Sequence, residues 1–599
     1  MSAAFSDASS RKRDLMLALL ATLLALAINA ATGFKSLNAI GDNDSLLRLV
    51  EVRDLIAGQG WFDLHQYRMG PQGGLLMHWS RLVDAPIAAI VVAATALTGS
   101  VAAAETIARI LWPASTFFLT VFFTVRAARH FGGDSAAFPA LVASASALHF
   151  LGIYNPGALD HHNVQLMLTM ASLAFLLAAP GYRAAAMLAG ICAALTLAVG
   201  METAPYVAVI GLYAAGLLAF DEGGGHIVAR DYGLGFAGTS ALVFAGTVAP
   251  SEWGVARCDA FSSVQVVLAI LAGGGLAAIA SAIFASRTRA RRIAALLALG
   301  AIVAAALLAW FPECLAAPYA GLDPRLRSLW LDHVSEAQSV FELIRSRDLS
   351  VAARYATPAI ALGLMAYRLI RGDWRRQDSL VATLLATAFV VSAWQVRGST
   401  FSIALAIIPL ADWIGKWRLR AEASPTPAVS LKTVLVWLVS LNPVWMGTAA
   451  AASMAIDSSV RATATTAGRK NCEQTVDFSA LGLEPATAVL APSNLGAPIL
   501  ALSGHRVMAG PYHRNIEGNL LTLDAFMGSA QEARAQIDRN HIGLIAFCPA
   551  GTETRILTEA APNGFLAQLA RGVVPSWLEP VARTSGKPLE LYRVKLDGQ

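Results

Sequence analysis

The sequence predicts a polytopic α-helical membrane protein that ends in a separate α/β domain. Hydrophobic residues make up 56% of the 599 residues, charged residues only 14%, and the mean hydropathy is +0.55. Soluble domains carry about 25% charged residues, so a chain this apolar belongs in lipid. Runs of about 20 apolar residues, enough to cross a bilayer, recur from 15–34 to 432–452. Residues 458–599 instead alternate short β-like and helical segments.

The lysines and arginines between the apolar runs predict the topology. Arg11, Lys12 and Arg13 place the N-terminus in the cytoplasm. The apolar stretch 85–104 is ambiguous, because if it crossed the membrane three later cationic clusters would face outward. If it lies in the interface or re-enters, all three are cytoplasmic and there are about 13 spans. The three clusters are Arg287/Arg289/Arg291/Arg292, Arg368/Arg371/Arg375/Arg376 and Lys416/Arg418/Arg420.

We adopt the second topology and expect a multi-pass protein of the plasma (inner) membrane. Residues 1–457 then form the transmembrane domain, and residues 458–599 form the extracytoplasmic α/β domain. A first outer loop at 35–105 includes the interfacial segment, and a long outer loop covers 311–349. The first apolar run is of spanning length and no small-residue cleavage site follows a short core, so we expect no cleavable signal peptide.

The predicted outer domain has local signals of its own. The β-like runs are 487–490, 541–547 and 589–594, and Ser529 with Glu532 predicts a capping box that opens a helix. Cys472 and Cys548 fall in this domain, and Cys258 and Cys314 fall in two outer loops. Two disulfides, with Cys192 left alone in the membrane, would suit an oxidising compartment. The spacing leaves the pairing open.

Several classes of function are disfavoured by the same composition. The net charge is +5, but the cations fall between apolar runs and form no basic face interleaved with aromatics, so no nucleic acid is expected. The five cysteines include no Cys-x-x-Cys pair, which excludes a thiolate zinc finger.

Three outer loops carry ionisable residues close to the membrane. They are Asp42 and Asp44 after the first span, Asp160-His161-His162 before a helix, and Glu336 in the long loop. Carboxylate oxygens with one imidazole suit Mg²⁺ or Mn²⁺, and the helix start beside them favours a phosphate. A metal, a phosphate and a carboxylate are what is needed to expel a phosphate from a sugar carbon. Each part also has a structural alternative: a helix cap for Asp42 or Asp44, and solvated loops for the histidines and Glu336.

In this order the three segments resemble the catalytic subunit of oligosaccharyltransferases, especially the archaeal single-subunit form, within the GT-C class of glycosyltransferases. Asp42 with Arg48 six residues later, and then Glu51, resembles the family's first motif. Asp160-His161-His162 resembles its Asp-His-His motif. The segment from His333 to Gln338 resembles its Ser-Val-Ser-Glu-x-Gln motif except at the first position. The resemblance covers nearly the whole chain and implies about 13 spans with an outer C-terminal domain.

The resemblance also implies roles for individual residues. Asp42, Asp160, His162 and Glu336 would ligate the divalent cation, Glu336 would also hold the acceptor nucleophile, and Asp44 competes with Asp42. Arg397 would clamp the phosphate of a polyprenyl-linked donor, although span-end arginines are also ordinary interfacial anchors. His161 and Arg81 are further candidate phosphate contacts. Glu202, at a span end, is an interfacial carboxylate or a donor contact.

The chain departs from the family at its acceptor motif. The family's Trp-Trp-Asp-Tyr-Gly motif reads the hydroxyl of an Asn-x-Ser/Thr acceptor, whereas this outer domain has only Trp577. The corresponding region is 492–496, followed by Tyr512, His513 and Arg514, which could read a glycan, lipid or protein acceptor or could simply form a turn. The implied activity is inverting transfer of a sugar or oligosaccharide from a polyprenyl phosphate or diphosphate. The alternatives are a monophosphate-dependent transferase that modifies lipid or glycan, and a solute or ion transporter.

Overall fold

A computed structural model describes residues 2–179, 184–220, 224–281, 288–316, 319–345, 349–460, 472–584 and 587–595. Arg287 of the first cationic cluster lies outside these ranges. The N-terminal and central part is helical. Its helices are α1 Ser2–Ala31, α2 Asn43–Ile56, α3 Arg81–Thr98, α4 Val101–Gly132, α5 Asp134–His149, α6 His162–Ala178, α7 Ala185–Val199, α8 Ala204–Phe220, α9 Gly225–Thr247, α10 Ser263–Ala269, α11 Gly275–Ile279, α12 Arg289–Trp310, α13 Pro324–Leu329, α14 Val340–Arg345, α15 Leu349–Arg371, α16 Arg376–Trp394, α17 Ser399–Ala423, α18 Pro427–Ser440 and α19 Asn442–Val460.

Within these ranges eight helices are long and apolar enough to span a membrane, or nine if the bent pair α18 and α19 forms one span. They include α3, and four shorter apolar helices do not reach the required length. The chain is therefore a multi-pass membrane protein, as predicted, while the count of about 13 spans stays a prediction.

The helix α17 is the centre of the bundle. In its most apolar stretch 89% of the residues are buried inside the protein, against 6% for α12 at the periphery. A helix that is apolar all round either lies in a protein core or faces lipid, and these two helices show the two cases. Small residues allow the close packing of α17: a Cβ added at Gly415 would lie 2.7 Å from the carbonyl oxygen of Ser135 in α5.

Polar contacts define the two ends of the bundle. At one end the Arg129 guanidinium of α4 lies 2.5 Å from the buried carboxylate of Asp14 in α1, and Arg375 donates to the carbonyl of Phe131. At the other end Arg109 of α4 donates to the carbonyl of Leu37, just beyond α1. Cations of the second predicted cluster thus lie at the same end as the basic N-terminal segment.

The C-terminal domain sits on the opposite end of the bundle. Arg53 of α2 binds Glu105 of α4 at 2.7 Å and donates to the carbonyl of Ala501 in the domain. The N-terminus of α3 contacts this side through Asp84, which accepts from Arg48 of α2. Its C-terminus leads through Ser100 straight into α4, beside Glu105. Both ends of α3 therefore lie on the side of the C-terminal domain.

The C-terminal domain is α/β, as predicted. Its mixed sheet has the order β4-β3-β5-β7-β6, with β3 parallel to β4 and β5, and β7 antiparallel to β5 and β6. The strands are β3 Ala488–Leu490, β4 Arg506–Val507, β5 Ile542–Phe547, β6 Leu578–Pro580 and β7 Glu590–Val594, and the first outer loop adds a hairpin of β1 His65–Gln66 and β2 Leu75–Leu76. The domain's helices are α20 Gly496–Leu502, α21 Ile516–Met527, α22 Ala530–Arg539, α23 Thr552–Ala560 and α24 Phe565–Ala570.

Two further expectations from the sequence are confirmed. Ser529 and Glu532 form the reciprocal capping box at the start of α22. The disulfides are Cys258–Cys314 and Cys472–Cys548, and Cys192 is buried and free. Met69, Met77 and Trp79 of the first outer loop share an apolar core with the sheet. This packing fixes the domain above the membrane helices.

Candidate active site

A cavity of about 1520 Å³ lies between the helical bundle and the C-terminal domain. Its walls come from the start of α2, the start of α6, the segment after α7, the outer loops on either side of Cys258 and Cys314, and the C-terminal domain. The candidate residues on its walls are Asp42, Asp44, His161, His162, Glu202, Glu336, Arg397, Tyr512, His513 and Arg514. Segments far apart in sequence thus meet on one side of the bundle.

The start of α2 places the first carboxylate. Asp42 is the N-cap of α2, and its side chain accepts from the backbone N–H of Ser45 at 2.6 Å and from the Ser45 hydroxyl at 2.9 Å. The Ser45 hydroxyl oxygen in turn accepts from the backbone N–H groups of Leu159 and Asp160, at 2.9 Å and 3.2 Å. The helix-cap alternative is therefore correct for Asp42, and the same hydroxyl ties its carboxylate to the Asp-His-His segment.

The Asp-His-His segment forms a compact cluster, defined by Asp160, His161 and His162, at the N-terminus of α6. One ligand atom from each of the three residues lies within 4.8 Å of the others. Asp160 Oδ1 is 2.6 Å from His161 Nδ1, and Asp160 Oδ2 is 3.4 Å from His162 Nε2. The free side of His161 faces Glu202, whose Oε1 lies 3.1 Å from His161 Nε2. Carboxylate and imidazole atoms at this spacing fit a divalent cation.

Further carboxylates surround this cluster. Asp44 is close enough to Asp42 and Asp160 for their charges to interact, and Asp42 likewise feels the charge of Glu336. Burial and then the charge of Asp160 raise the pKa of Asp42 to about 6 and of Asp44 to about 7. A site that crowds carboxylates in this way gains by binding a cation.

The electrostatics of Asp160 and His161 run in the opposite direction. Burial alone would raise the pKa of Asp160, but the charges of His161 and His162 outweigh it and lower that pKa. Burial would also lower the pKa of His161, but Asp160 and Glu202 raise it to about 10. The carboxylates around His161 therefore favour its protonated form, which suits an anionic ligand.

Arg397 lies across the cavity from α2. Its guanidinium is close enough to Glu202, Tyr319 and Glu336 to interact with them electrostatically. His162 Nδ1 is 3.6 Å from Glu202 Oε1. Glu202 is thus held between both histidines and Arg397 inside the site, and is not a plain interfacial carboxylate.

A second cluster on the same cavity is defined by His78, Asp259 and His513. Ligand atoms of these three residues also lie within 4.8 Å of one another. Asp259, however, is bound at both oxygens by the Arg514 guanidinium, each contact 2.7 Å, and by His513 Nε2 at 2.8 Å. Burial alone would raise the pKa of Asp259, but these hydrogen bonds lower it well below its ordinary value.

Two of the three predicted acceptor residues, Tyr512 and Arg514, contact the first outer loop. Tyr512 is buried, donates to the carbonyl of Asn43 at 3.2 Å and packs edge-on against Trp79. Arg514 also donates to the carbonyls of Leu76 and Met77. Both residues therefore join the C-terminal domain to the first outer loop, in addition to lining the cavity.

The prediction of Arg81 as a phosphate contact is not supported by its position. Arg81 is 2% exposed, and its guanidinium donates to Asp84, to Gln59 Oε1 and to the carbonyl of Asp63. It does not line the cavity. An arginine buried among these partners stabilises the loop and does not reach a substrate in the cavity.

Arg48 and Glu51 are buried residues of α2 that stabilise the site without lining the cavity. Arg48 binds Asp84 at 2.6 Å, lies 3.6 Å from Glu51 and stacks over Trp79 at 4.3 Å. Burial and then the charge of Asp84 raise the pKa of Glu51 to about 8. The motif that begins with Asp42 therefore supplies two residues that line the cavity, Asp42 and Asp44. It also supplies Arg48 and Glu51 to a buried ion-pair network next to the cavity.

Sequence reasoning missed Asp259 and Tyr319. Asp259 directly follows Cys258, but nothing in its neighbourhood identifies partners some 255 residues away. Tyr319 has a positive φ of 65°, a strained conformation for a side chain of this size and one that clusters at ligand sites. No sequence motif predicts that Tyr319 lines the cavity.

The helical bundle with an α/β domain over a carboxylate-rich cavity shares the fold of solved oligosaccharyltransferase structures, as predicted. Among solved structures the chain is similar to the archaeal oligosaccharyltransferase AglB from Archaeoglobus fulgidus. The apo form gives a TM-score of 0.68 at 14% identity, covering 93% of this chain and 72% of that one. The complex with an inhibitory peptide and a dolichol-phosphate gives 0.66 at 14%, covering 95% and 72%.

A third structure of the same protein, in complex with Zn and sulfate, gives a TM-score of 0.62 at 14% identity, covering 93% of this chain and 70% of that one. No family model and no curated protein sequence matches the chain. At this level of identity the likeness establishes the fold.

Proposed function

We propose that the protein is a metal-dependent inverting glycosyltransferase that uses a polyprenyl-linked donor. The single observation that carries the proposal is the convergence of Asp42, His161, His162 and Glu336 on one cavity beneath the outer domain, with Asp160 of the same cluster directly behind them. The fold is that of archaeal oligosaccharyltransferase structures, one of them in complex with an inhibitory peptide and a dolichol-phosphate and another in complex with Zn and sulfate. These findings support a transferase with a lipid-linked donor.

Asp42, Asp160, His162 and Glu336 would hold a divalent cation, Mg²⁺ or Mn²⁺. The donor set fits, because three carboxylates and one imidazole are hard to borderline ligands and the neighbouring Asp44 adds a further carboxylate to the site. When bound, the cation supplies electrostatic stabilisation for a phosphate leaving group. Glu336, exposed to both the cation site and the open cavity, orients the acceptor nucleophile.

Arg397 and His161 would bind the donor phosphate. Arg397 lies two residues before the start of α17. His161 has a positively charged ring beside the N-terminus of α6, and a helix N-terminus itself favours anions. Tyr512, His513 and Arg514 form the acceptor-side wall. Because the region at 492–496 carries no Trp-Trp-Asp motif, we propose an acceptor other than a protein sequon, such as a glycan or lipid.

The contacts at the two bundle ends support the proposed topology. With both ends of α3 beside the C-terminal domain, the stretch 85–104 lies along the outer interface and does not cross the membrane. The basic N-terminus is then cytoplasmic and the catalytic cavity faces outward in the plasma membrane. A transporter would place its charged groups near the midplane, whereas these charges lie at one end of the bundle.

The experiment is glycan and glycoprotein mass spectrometry of the cell envelope with and without the gene. Complementation with the wild-type chain should restore one glycan product, and its mass distinguishes a single sugar from an oligosaccharide. Glu336→Gln should not restore it, because the acceptor carboxylate is lost. Asp332→Asn is the matched control, since Asp332 lies in the same loop but does not line the cavity. Restoration by both variants would overturn the proposal.

A further inference from the structure

A smaller cavity of about 290 Å³ opens beside the catalytic one. The two cavities share His162, Glu202, Glu336 and Arg397 on their walls. The rest of its lining is mixed, with the polar side chains of Ser350, Gln395 and Thr400 and apolar side chains of several elements. The apolar side chains include Leu151, Ile153, Leu343, Val351 and Phe401.

One further charged residue, Arg354, lines this small cavity. It lies in α15, five residues from the helix start, within a helix long and apolar enough to span the membrane. An arginine in such a helix is costly unless it is paired, and by default it indicates a functional site. Arg354 makes no hydrogen bond or ion pair with any residue in the ranges that the structure describes.

The other two arginines of α15 are either paired with carboxylates or exposed. Arg368 pairs with Asp378 and with Asp412, each at 3.1 Å. Arg371, at the end of the helix, is exposed and reaches the Tyr367 hydroxyl. Arg354 alone among the three is half-buried and unpartnered, and it lines a cavity that adjoins the candidate catalytic residues.

Neighbouring carboxylates do not neutralise Arg354. Glu202 is engaged with His161, His162 and Arg397, and no ion pair joins it to Arg354. An anion that enters from the lipid side, with an apolar tail against Leu343 and Phe401, would provide the missing partner.

We propose that Arg354 binds the phosphate-bearing end of the lipid donor, together with Arg397, while the isoprenoid units nearest the phosphate occupy the apolar part of the small cavity. This inference rests on the proposed function. Two arginines on one cavity favour a donor with two phosphates over a donor with one, since each charge-assisted contact adds to binding.

The test measures binding of farnesyl diphosphate and farnesyl phosphate to the full chain in nanodiscs of zwitterionic lipid. We expect the wild type to bind the diphosphate more tightly. Arg354→Gln should weaken diphosphate binding about tenfold or more and monophosphate binding less, and Arg354→Lys should recover part of the loss. Arg371→Gln, on the same helix, is the control and should bind as the wild type does.

Two readouts separate this role from a structural one. Removing an unpaired charge from a spanning helix should leave the thermal midpoint of Arg354→Gln unchanged or raise it, whereas loss of a structural contact would lower it. Repeating the titration in nanodiscs rich in phosphatidylglycerol tests the other lipid source. If phosphatidylglycerol abolishes probe binding in the wild type but not in Arg354→Gln, Arg354 binds bulk headgroups and the inference is wrong.

The failure of this inference differs from failure of the proposed function. Unchanged diphosphate binding in Arg354→Gln, with binding lost in Arg397→Gln, would overturn the role of Arg354 and leave the transferase intact. A wild type that binds neither probe would contradict both.

Discussion

Two clusters of the same ligand type lie beside one cavity, and they differ in their charged neighbours. Asp160, His161 and His162 form the first, and His78, Asp259 and His513 form the second. Each offers one carboxylate and two imidazoles within 4.8 Å. In the second, Arg514 occupies both oxygens of the carboxylate. In the first, Asp42, Asp44 and Glu336 add further negative charge around it.

The comparison teaches that the neighbours of a cluster decide its role. Burial, and then the positive charges of His513 and Arg514, lower the pKa of His78 well below its ordinary value. The negative charge of Asp259 in the second cluster is therefore already neutralised. We call the contact of Asp259 with His513 and Arg514 the latch, because it joins the loop at the Cys258–Cys314 disulfide to the C-terminal domain. The first cluster is short of positive charge, so it is the one that gains from a divalent cation.

The largest expected effect comes from neutralising the carboxylate of the first cluster. Asp160→Asn keeps the size of the side chain and removes the charge that would bind the cation, so transfer should fall about a hundredfold to a thousandfold. Transfer assays with the purified chain and its isolated donor would measure this. The equivalent change in the latch, Asp259→Asn, should cost less than about tenfold, and an equal loss in both variants would erase the distinction between the clusters.

The next effect sharpens the choice between Asp42 and Asp44. Asparagine caps a helix about as well as aspartate, so Asp42→Asn keeps the N-cap of α2 and loses only the charge. We expect a loss of transfer on the order of a hundredfold with an unchanged thermal midpoint, and a smaller loss for Asp44→Asn.

Asp42→Ala provides the control for the cap. It should add a stability loss of about 1 kcal/mol, because the Ser45 N–H then lacks its acceptor. A larger activity loss in Asp44→Asn than in Asp42→Asn would move the ligand role to Asp44.

The smallest effect concerns the latch. Asp259 is partly exposed, so solvent screens its pairing with Arg514, and Asp259→Asn should cost about 1 kcal/mol of stability. Arg514→Gln should cost more, because it also loses the hydrogen bonds to the Leu76 and Met77 carbonyls. The double variant should cost less than the sum of the two single losses, since the Asp259–Arg514 interaction is counted in both. Thermal unfolding of the four proteins measures this cycle, and fully additive losses would show that the two side chains do not act as a latch.

The parts of the account predicted from sequence are those with local signals. The Asp-His-His segment, the capping box at Ser529 and the short strands of the outer domain all depend on neighbouring residues. The position of Arg81 does not support the phosphate contact predicted for it, and Asp84, three residues later on the same helix, indicates an internal ion pair. Asp259 and Arg354 could not be found, because the partners of Asp259 are distant in sequence and Arg354 sits within an apolar run that reads as a plain span.

The most direct test of the central claim is the Mn²⁺ content of the purified chain by electron paramagnetic resonance after metal removal and reloading. We predict one bound Mn²⁺ in the wild type and in His78→Ala, and none in Asp160→Asn. Retention of the metal by Asp160→Asn with its loss from His78→Ala would contradict the account, because the cation would then bind at the second cluster.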